Sequence, residues 1–160
     1  MSHAGAMRSP LQILTIIAFG VFGCSQDSKG HTDEANTVAM IQKLGGKVEY
    51  DGPGPDRRVT KVYLHRTSVQ DSDLTALKTL PKLRNLFLGK TKISDEGLAH
   101  LSSITELQTL SLNSTQSTDA GLKSLRTLTQ LKTLNLQETA TTTTGIASLR
   151  KALPQTTIAR

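Results

Sequence analysis

The sequence predicts an α/β solenoid, in which a unit of one short strand and one short helix is repeated along the chain. The first observation is a fixed interval of 24 residues, which separates Leu64, Leu88, Leu112 and Leu136. The second is that each of these leucines follows another apolar residue by two positions, so both side chains lie on one face of a strand. The third is a later pair of leucines three residues apart, as at Leu98 and Leu101, which indicates one face of a helix.

The unit recurs four times in the same register. Its strand half begins at four equivalent positions: Val59, Leu83, Leu107 and Leu131. A threonine recurs eight positions later in each unit: Thr67, Thr91, Thr115 and Thr139. The helix half begins at Asp71, Asp95, Asp119 and Thr143. One unit cannot bury its apolar face alone, so neighbouring units have to stack into a continuous core. Aromatic residues make up only 3% of the chain and Trp is absent, so this core has to be aliphatic.

The repeated pattern resembles that of bacterial leucine-rich-repeat proteins. L-x-x-L-x-L runs from Leu83 to Leu88, and I-x-D-x-G-L runs from Ile93 to Leu98, where Ser94 or Asp95 can cap the helix. The resemblance covers Val59 to Leu153 and implies parallel strands on an inner face with short helices on an outer face. The family's usual Asn at the ninth position is replaced here by the threonine column, which we interpret as structural.

Five segments are expected along the chain. They are a signal peptide (1–23), a polar tether without apolar periodicity (24–36), an N-terminal cap of helix plus strand (37–58), four repeats (59–153) and a C-terminal closure (154–160). The cap resembles the one that often precedes such repeats. The last repeat departs from the pattern at Thr141 to Thr144, as terminal repeats commonly do.

The N-terminal segment has the features of an export signal. An apolar run from Leu11 to Phe22 follows Arg8; it is shorter than the ~20 residues that a membrane span needs. The next residues resemble a bacterial lipobox, Val21-Phe22-Gly23-Cys24, which implies cleavage before Cys24 and a lipid on its sulfur. Ser25 rather than Asp follows, which by the same resemblance implies the outer membrane. An ordinary signal peptide with a periplasmic or secreted product, or an uncleaved anchor, is the alternative.

Composition and motifs favour a binding protein over an enzyme. Lys and Arg exceed Asp and Glu by 19 to 13, but they are scattered, so we expect no nucleic-acid partner. Cys24 is the single cysteine, and the histidines are dispersed. The catalytic motifs HExxH and GxSxG do not occur, and we expect no enzyme activity, no cofactor and no metal. Asp71-Ser-Asp73 lacks the further oxygen ligands of a calcium site, so we interpret it as a cap of the first helix.

Three columns of variable residues should face solvent along the inner strands. The columns are Lys61, Asn85, Thr109 and Thr133; then Tyr63, Phe87, Ser111 and Asn135; then His65, Gly89, Asn113 and Gln137. Tyr63 and Phe87, two of the chain's five aromatic residues, fall side by side. They form either the centre of an interface or a packed cross-strand pair.

The sequence therefore predicts a lipid-anchored module of the bacterial envelope whose inner face binds a protein or peptide. The candidate binding residues are Lys61, Tyr63, His65, Asn85, Phe87, Ser111, Asn113, Asn135 and Gln137. The alternative is a structural lipoprotein that acts by self-association without a specific ligand.

Overall fold

A computed structural model describes residues 27–54 and 57–160 of the 160-residue chain. The cap contributes a helix and a strand: α1 (Asp27–Lys43) and β1 (Lys47–Tyr50). The strands of the repeats are β2 (Val59–Tyr63), β3 (Asn85–Phe87), β4 (Thr109–Ser111) and β5 (Thr133–Asn135), and β6 (Thr157–Ala159) follows them. The helices between these strands are a 3₁₀ helix (Asp71–Thr79), α2 (Asp95–Leu101), α3 (Asp119–Ser124) with a 3₁₀ turn (Leu125–Thr127), and α4 (Thr143–Ala152).

All six strands form one sheet in chain order. β1 pairs antiparallel with β2, and every later pair is parallel. Each parallel pair joins residues one repeat apart, so that Val62 faces Leu86 and Leu86 faces Leu110. A parallel pair requires a crossover connection, which the helical half of each repeat supplies. The predicted fold class is confirmed: the chain forms a short leucine-rich-repeat solenoid with α/β character.

The core lies between the sheet and the helices. The leucines that mark the repeat, Leu64, Leu88, Leu112 and Leu136, are at most 1% exposed, and Leu98 and Leu101 of α2 are fully buried. Each threonine of the ninth-position column donates its hydroxyl to the carbonyl oxygen three residues earlier, at 2.6 to 2.7 Å. These bonds stay within one repeat. The column therefore has the structural role that we assigned to it.

The aspartates of the helix half connect neighbouring repeats. Asp71 accepts hydrogen bonds from the backbone N–H and the hydroxyl of Ser94 in the next repeat, at 2.9 and 2.5 Å. Asp95 and Asp119 bind Thr118 and Thr142 in the same way. We call these three contacts the aspartate ladder. The glycine of the next repeat makes room for each carboxylate, because a Cβ at Gly97, Gly121 or Gly145 would overlap with it.

The ladder corrects our interpretation of Asp71 as a helix cap, and Asp95, the alternative to Ser94 as the cap of α2, also belongs to the ladder. Ser94 caps α2, since its hydroxyl accepts from the backbone N–H of Glu96 at 3.3 Å. In the first repeat Asp73 has the capping contact that we expected, because its carboxylate accepts from the backbone N–H of Gln70 at 2.9 Å. Asp71 instead reaches forward to the second repeat. Spacing along one repeat could not reveal this, because the partner lies 23 residues ahead.

The cap extends further toward the N-terminus than expected. α1 begins at Asp27, inside the segment 24–36 that we interpreted as a tether. Its Glu34 is 6% exposed and accepts hydrogen bonds from the backbone N–H of Val59 at 2.8 Å and from Arg58 at 3.1 Å. A buried carboxylate, and not only an apolar stripe, thus fixes α1 to the first repeat. The apolar periodicity that we looked for cannot detect such an anchor.

The other end of the sheet also differs from the expectation. We expected residues 154–160 to close the array. They contribute β6, which continues the parallel sheet with Ile158 opposite Leu134. The expected signal peptide, 1–23, and Cys24 lie outside the described residues. Within residues 27–54 and 57–160, no helix has both the length and the apolar character to cross a membrane.

Candidate binding surface

The register of the parallel strands forms the predicted columns on the inner face. Lys61 lies opposite Asn85, which lies opposite Thr109; Tyr63, Phe87 and Ser111 are aligned in the same way. The nine candidate residues are all half-buried or exposed, whereas the leucines between them are buried. Alternation along each strand therefore separates a core face from a solvent-facing surface.

Tyr63 and Phe87 form a stacked pair. Their ring centroids are 4.8 Å apart and their planes differ by 4°. Aromatic pairs at this distance stabilise each other beyond the area that they bury. The phenol of Tyr63 also donates a hydrogen bond to Glu49 on β1, at 2.8 Å. Cross-strand packing of the two rings is therefore a feature of the fold, and it leaves both side chains half-buried.

Glu49 connects Tyr63 with Lys61. The Lys61 ammonium lies 2.7 Å from the second carboxylate oxygen of Glu49. The hydrogen bond from Lys61, followed by that from Tyr63, lowers the pKa of Glu49, and the same contact with Glu49 raises the pKa of Lys61. The hydrogen bond to Glu49 also raises the pKa of Tyr63. At neutral pH the charges of Lys61 and Glu49 thus offset each other.

A cavity of about 420 Å³ opens over strands β2 to β4. Its lining consists of Tyr63, His65, Arg66, Phe87, Gly89, Lys90, Ser111 and Asn113. Gly89 leaves room for the amide of Asn113, because a Cβ there would overlap with this side chain in its present position. The hydroxyl of Ser111 donates to Oδ1 of Asn113 at 2.9 Å, and Nδ2 of Asn113 makes no hydrogen bond within the described residues. A cavity of this size lies in the range of about 300 to 1,000 Å³ that ligand sites occupy.

The structure brings together five of the nine candidate residues. Tyr63, His65, Phe87, Ser111 and Asn113 line the cavity, whereas Lys61, Asn85, Asn135 and Gln137 do not. Toward the last repeat, the side chain of Asn135 accepts from the backbone N–H of Gln137 at 3.0 Å. Asn135 and Gln137 lie beyond the cavity along the array, and Lys61 is engaged by Glu49. The candidate site is thus concentrated on the first three repeats.

Sequence reasoning missed Arg66 and Lys90, which occupy equivalent positions in the first two repeats. Both have a φ of 58°, in the left-handed region, and both side chains are exposed beside the cavity. The backbone N–H of Arg66 donates to Gly89, and that of Lys90 donates to Asn113, so the two turns are held by the next repeat. A second cavity of about 640 Å³ shares Arg66 and Lys90 and includes Lys92. The constant spacing of 24 residues between the two cations was the signal available in the sequence.

The described part of the chain contains no group of three or more His, Cys, Asp or Glu side chains that could hold a metal ion. The two carboxylates for which a calcium site was considered make other contacts. Both oxygens of Asp71 accept hydrogen bonds from Ser94, and one oxygen of Asp73 accepts from Gln70. Each carboxylate thus has a role within the fold.

Several solved structures of leucine-rich-repeat proteins are similar to this chain. A leucine-rich-repeat protein of Leptospira interrogans is 22% identical with a TM-score of 0.41, over 54% of this chain and 27% of the other. An internalin of Listeria monocytogenes is 21% identical with a TM-score of 0.43, over 62% of this chain and 34% of the other. The leucine-rich-repeat ectodomain of a receptor kinase from Arabidopsis thaliana is 14% identical with a TM-score of 0.46, over 69% of this chain and 67% of the other.

The chain spans only about a quarter to a third of the two bacterial proteins. No protein-family model and no curated protein sequence matches the chain. The likeness to the solved structures concerns the fold alone.

Proposed function

We propose that the inner face of the repeat array is a non-enzymatic binding surface for a protein or peptide partner. The observation that carries this proposal is the cavity over β2 to β4, with the stacked Tyr63 and Phe87 on one side and the amide of Asn113 on the other. Aromatic side chains are enriched among the residues that contribute most to interfaces. The pair combines apolar area with a fixed geometry, so little freedom is lost when a partner binds.

The chemistry of the lining favours binding over catalysis. It presents aromatic rings, one imidazole, an amide, a hydroxyl and two cations, and no carboxylate or thiol is among the described lining residues. His65 therefore has no acidic partner there that could orient it as a general base. These groups suit recognition of a polar chain with an apolar side chain.

We also propose that a lipid on Cys24 attaches the protein to the outer membrane, in keeping with the lipobox-like Val21 to Cys24. Because only Ser25 and Gln26 separate Cys24 from α1, such an anchor would hold the repeats close to the bilayer. Labelling cells with a palmitate analogue should mark the wild type and not Cys24→Ala. An unlabelled wild type would contradict the anchor without touching the binding proposal.

The binding proposal is tested by chemical crosslinking in native membranes, followed by mass spectrometry. The wild type is compared with the double variant Tyr63→Ser, Phe87→Ser. The matched control is Lys78→Ser, Lys151→Ser, which changes two exposed side chains on the helical side of the array. We expect a captured protein that disappears only in the aromatic variant. Self-crosslinks alone, unchanged in that variant, would contradict the proposal and favour self-association.

A further inference from the structure

The charges around the cavity indicate the chemistry of its occupant. We propose that the segment bound on the inner face is acidic, with an apolar or aromatic side chain close to its carboxylates. This inference rests on the proposed binding function, because it names the partner chemistry of the same site. It is carried by two cations that form no ion pair within the described residues, by one open ring face and by the order of the charges along the array.

The first argument is the charge of the lining. Arg66 and Lys90 border the cavity, and neither has an ion-pair partner within residues 27–54 and 57–160. Two acids lie nearby. Glu49 is engaged by Lys61 at 2.7 Å and by Tyr63 at 2.8 Å, and Asp71, which lines the second cavity with the two cations, accepts hydrogen bonds from Ser94. The positive potential of Arg66 and Lys90 is therefore not offset by Glu49. Complementary potential across an interface selects the partner and increases the rate of association.

The second argument is the open face of Phe87. Tyr63 covers one face of this ring, at a centroid distance of 4.8 Å. The residue next in register on the other side is Ser111, whose side chain is too small to cover the ring. An apolar or aromatic side chain of the partner can lie over Ser111 against Phe87. From there its neighbouring carboxylates can reach Arg66 and Lys90, which line the same cavity.

The turn residues next to the inner face change from basic to acidic along the array. Arg66, Lys90, Ser114 and Glu138 all have φ between 54° and 58°, at equivalent positions of the four repeats. Because the left-handed φ recurs in every repeat, it belongs to the turn of the repeat, and only the residue type at this position varies. The two cations come first, beside the cavity, and Glu138 comes last, where it accepts a hydrogen bond from Ser114. At this turn position the charge is thus positive in the first two repeats, which carry the aromatic pair, and negative in the last.

A peptide fits these features better than an anionic membrane. Membrane-binding patches typically contain clusters of about four to eight Lys or Arg residues. Here Arg66, Lys90 and Lys92 surround concave cavities, and the aromatic rings pack on each other instead of protruding. Nδ2 of Asn113, which makes no hydrogen bond within the described residues, can donate to a peptide carbonyl.

The test uses the full chain in mild detergent and a ribosome-displayed library of random short peptides. We expect the selected peptides to be enriched in Asp and Glu next to an apolar residue. Against Arg66→Glu, Lys90→Glu, the same library should yield peptides enriched in Lys and Arg. The control variant Lys78→Glu, Lys151→Glu makes the same change in net charge on the helical side and should select acidic peptides like the wild type.

A peptide selected by the wild type then provides a quantitative readout. We expect its affinity to fall by about tenfold or more in Arg66→Glu, Lys90→Glu, and by less than about twofold in the control. Selection of neutral or basic peptides by the wild type, or no enrichment at all, would overturn the inference. A third result would also overturn it: the protein binds phosphatidylglycerol vesicles in a way that depends on Arg66 and Lys90, and selects no acidic peptides. The partner of this surface would then be an anionic membrane and not a peptide.

The two proposals can fail separately. If neutral peptides are selected and Phe87→Ser abolishes their binding, the inner face is a peptide site and only its acidic preference is wrong. A different result would end both proposals. If acidic peptides bind equally well to Phe87→Ser and to the control variant Lys78→Ser, Lys151→Ser, the aromatic cavity is not the site and the proposed function fails as well.

Discussion

The outer and inner sides of the array differ in how strictly their residues repeat, although the same four repeats form both sides. On the outer side the aspartate ladder recurs three times with the same two hydrogen bonds at each step. On the inner side one column reads Tyr63, Phe87, Ser111 and Asn135, with no residue used twice. Repetition marks the contacts through which repeats hold each other. Variation marks the surface that the fold leaves free, which is where we place the partner.

The largest expected effect separates the two faces of a single strand. Leu110 is fully buried, and Thr109 beside it on β4 faces the inner side. Leu110→Ala should lower the free energy of unfolding by about 3 kcal/mol, because it removes buried contacts and leaves a cavity. Thr109→Ala should change it by less than about 0.5 kcal/mol. Urea unfolding followed by circular dichroism measures both; equal effects would contradict the division into faces.

The aspartate ladder comes next in size. Asp95→Ala leaves the backbone N–H and hydroxyl of Thr118 without their acceptor, and should lower the free energy of unfolding by about 2 kcal/mol. Its neighbour Glu96 is exposed, and Glu96→Ala should cost less than about 1 kcal/mol. The same urea titration compares the two variants. A ladder residue that is as dispensable as its neighbour would show that Asp95 does not couple the repeats.

The close approach of glycine and aspartate predicts a change of sign. A Cβ at Gly145 would overlap with Asp119, whose atoms are the nearest to it. Gly145→Ala should therefore destabilise the wild type. In an Asp119→Ala background the same change should stabilise the protein by up to about 1 kcal/mol, the difference in helix propensity between Ala and Gly. A double-mutant cycle tests this, and additive effects would mean that the two sites do not interact.

The pH dependence of the last ladder step is the smallest expected effect. The hydroxyl and backbone hydrogen bonds from Thr142, with a further contribution from Arg160, lower the pKa of Asp119. The stability that this carboxylate adds is therefore present above its unfolded pKa of ~3.9, and is lost as the pH falls through the lower folded value. Urea unfolding measured between about pH 5 and 2 should show that the free energy of unfolding falls less in Asp119→Asn than in the wild type. Parallel profiles would exclude Asp119 as a source of acid sensitivity.

The sequence predicted features of the fold and of the candidate site that recur with the repeat, and it missed features that do not. The parallel register, the buried leucines and the inner columns all follow from the 24-residue spacing, and the structure contains them. The contact between Glu49 and Lys61 does not follow from it, because β1 pairs antiparallel outside the repeat. The place of Arg66 and Lys90 beside the cavity depends on a left-handed turn that residue type does not indicate.

The ladder and the cap were missed for a related reason. Asp71 was assigned to its own helix because capping is a local interaction, whereas its partner Ser94 belongs to the next repeat. The start of α1 was missed because a buried Glu34 contributes to its anchoring, and polar anchors have no periodic pattern. Local sequence patterns thus predicted the strands and helices. The aspartate ladder and the start of α1 depend on contacts between elements, which such patterns do not show.

The most direct test of this account combines partner capture with stability in the same membranes. Tyr63→Ser, Phe87→Ser is compared with Asp95→Ala for the crosslinked partner, and both purified proteins are melted. The account predicts that the aromatic variant loses the partner at temperatures where it is still folded, although loss of the stacked pair lowers its Tm. Asp95→Ala should have a clearly lower Tm than the wild type, but it should still capture the partner at temperatures below that Tm. A partner retained by the aromatic variant, or lost equally from both, would contradict the assignment of binding to the inner face.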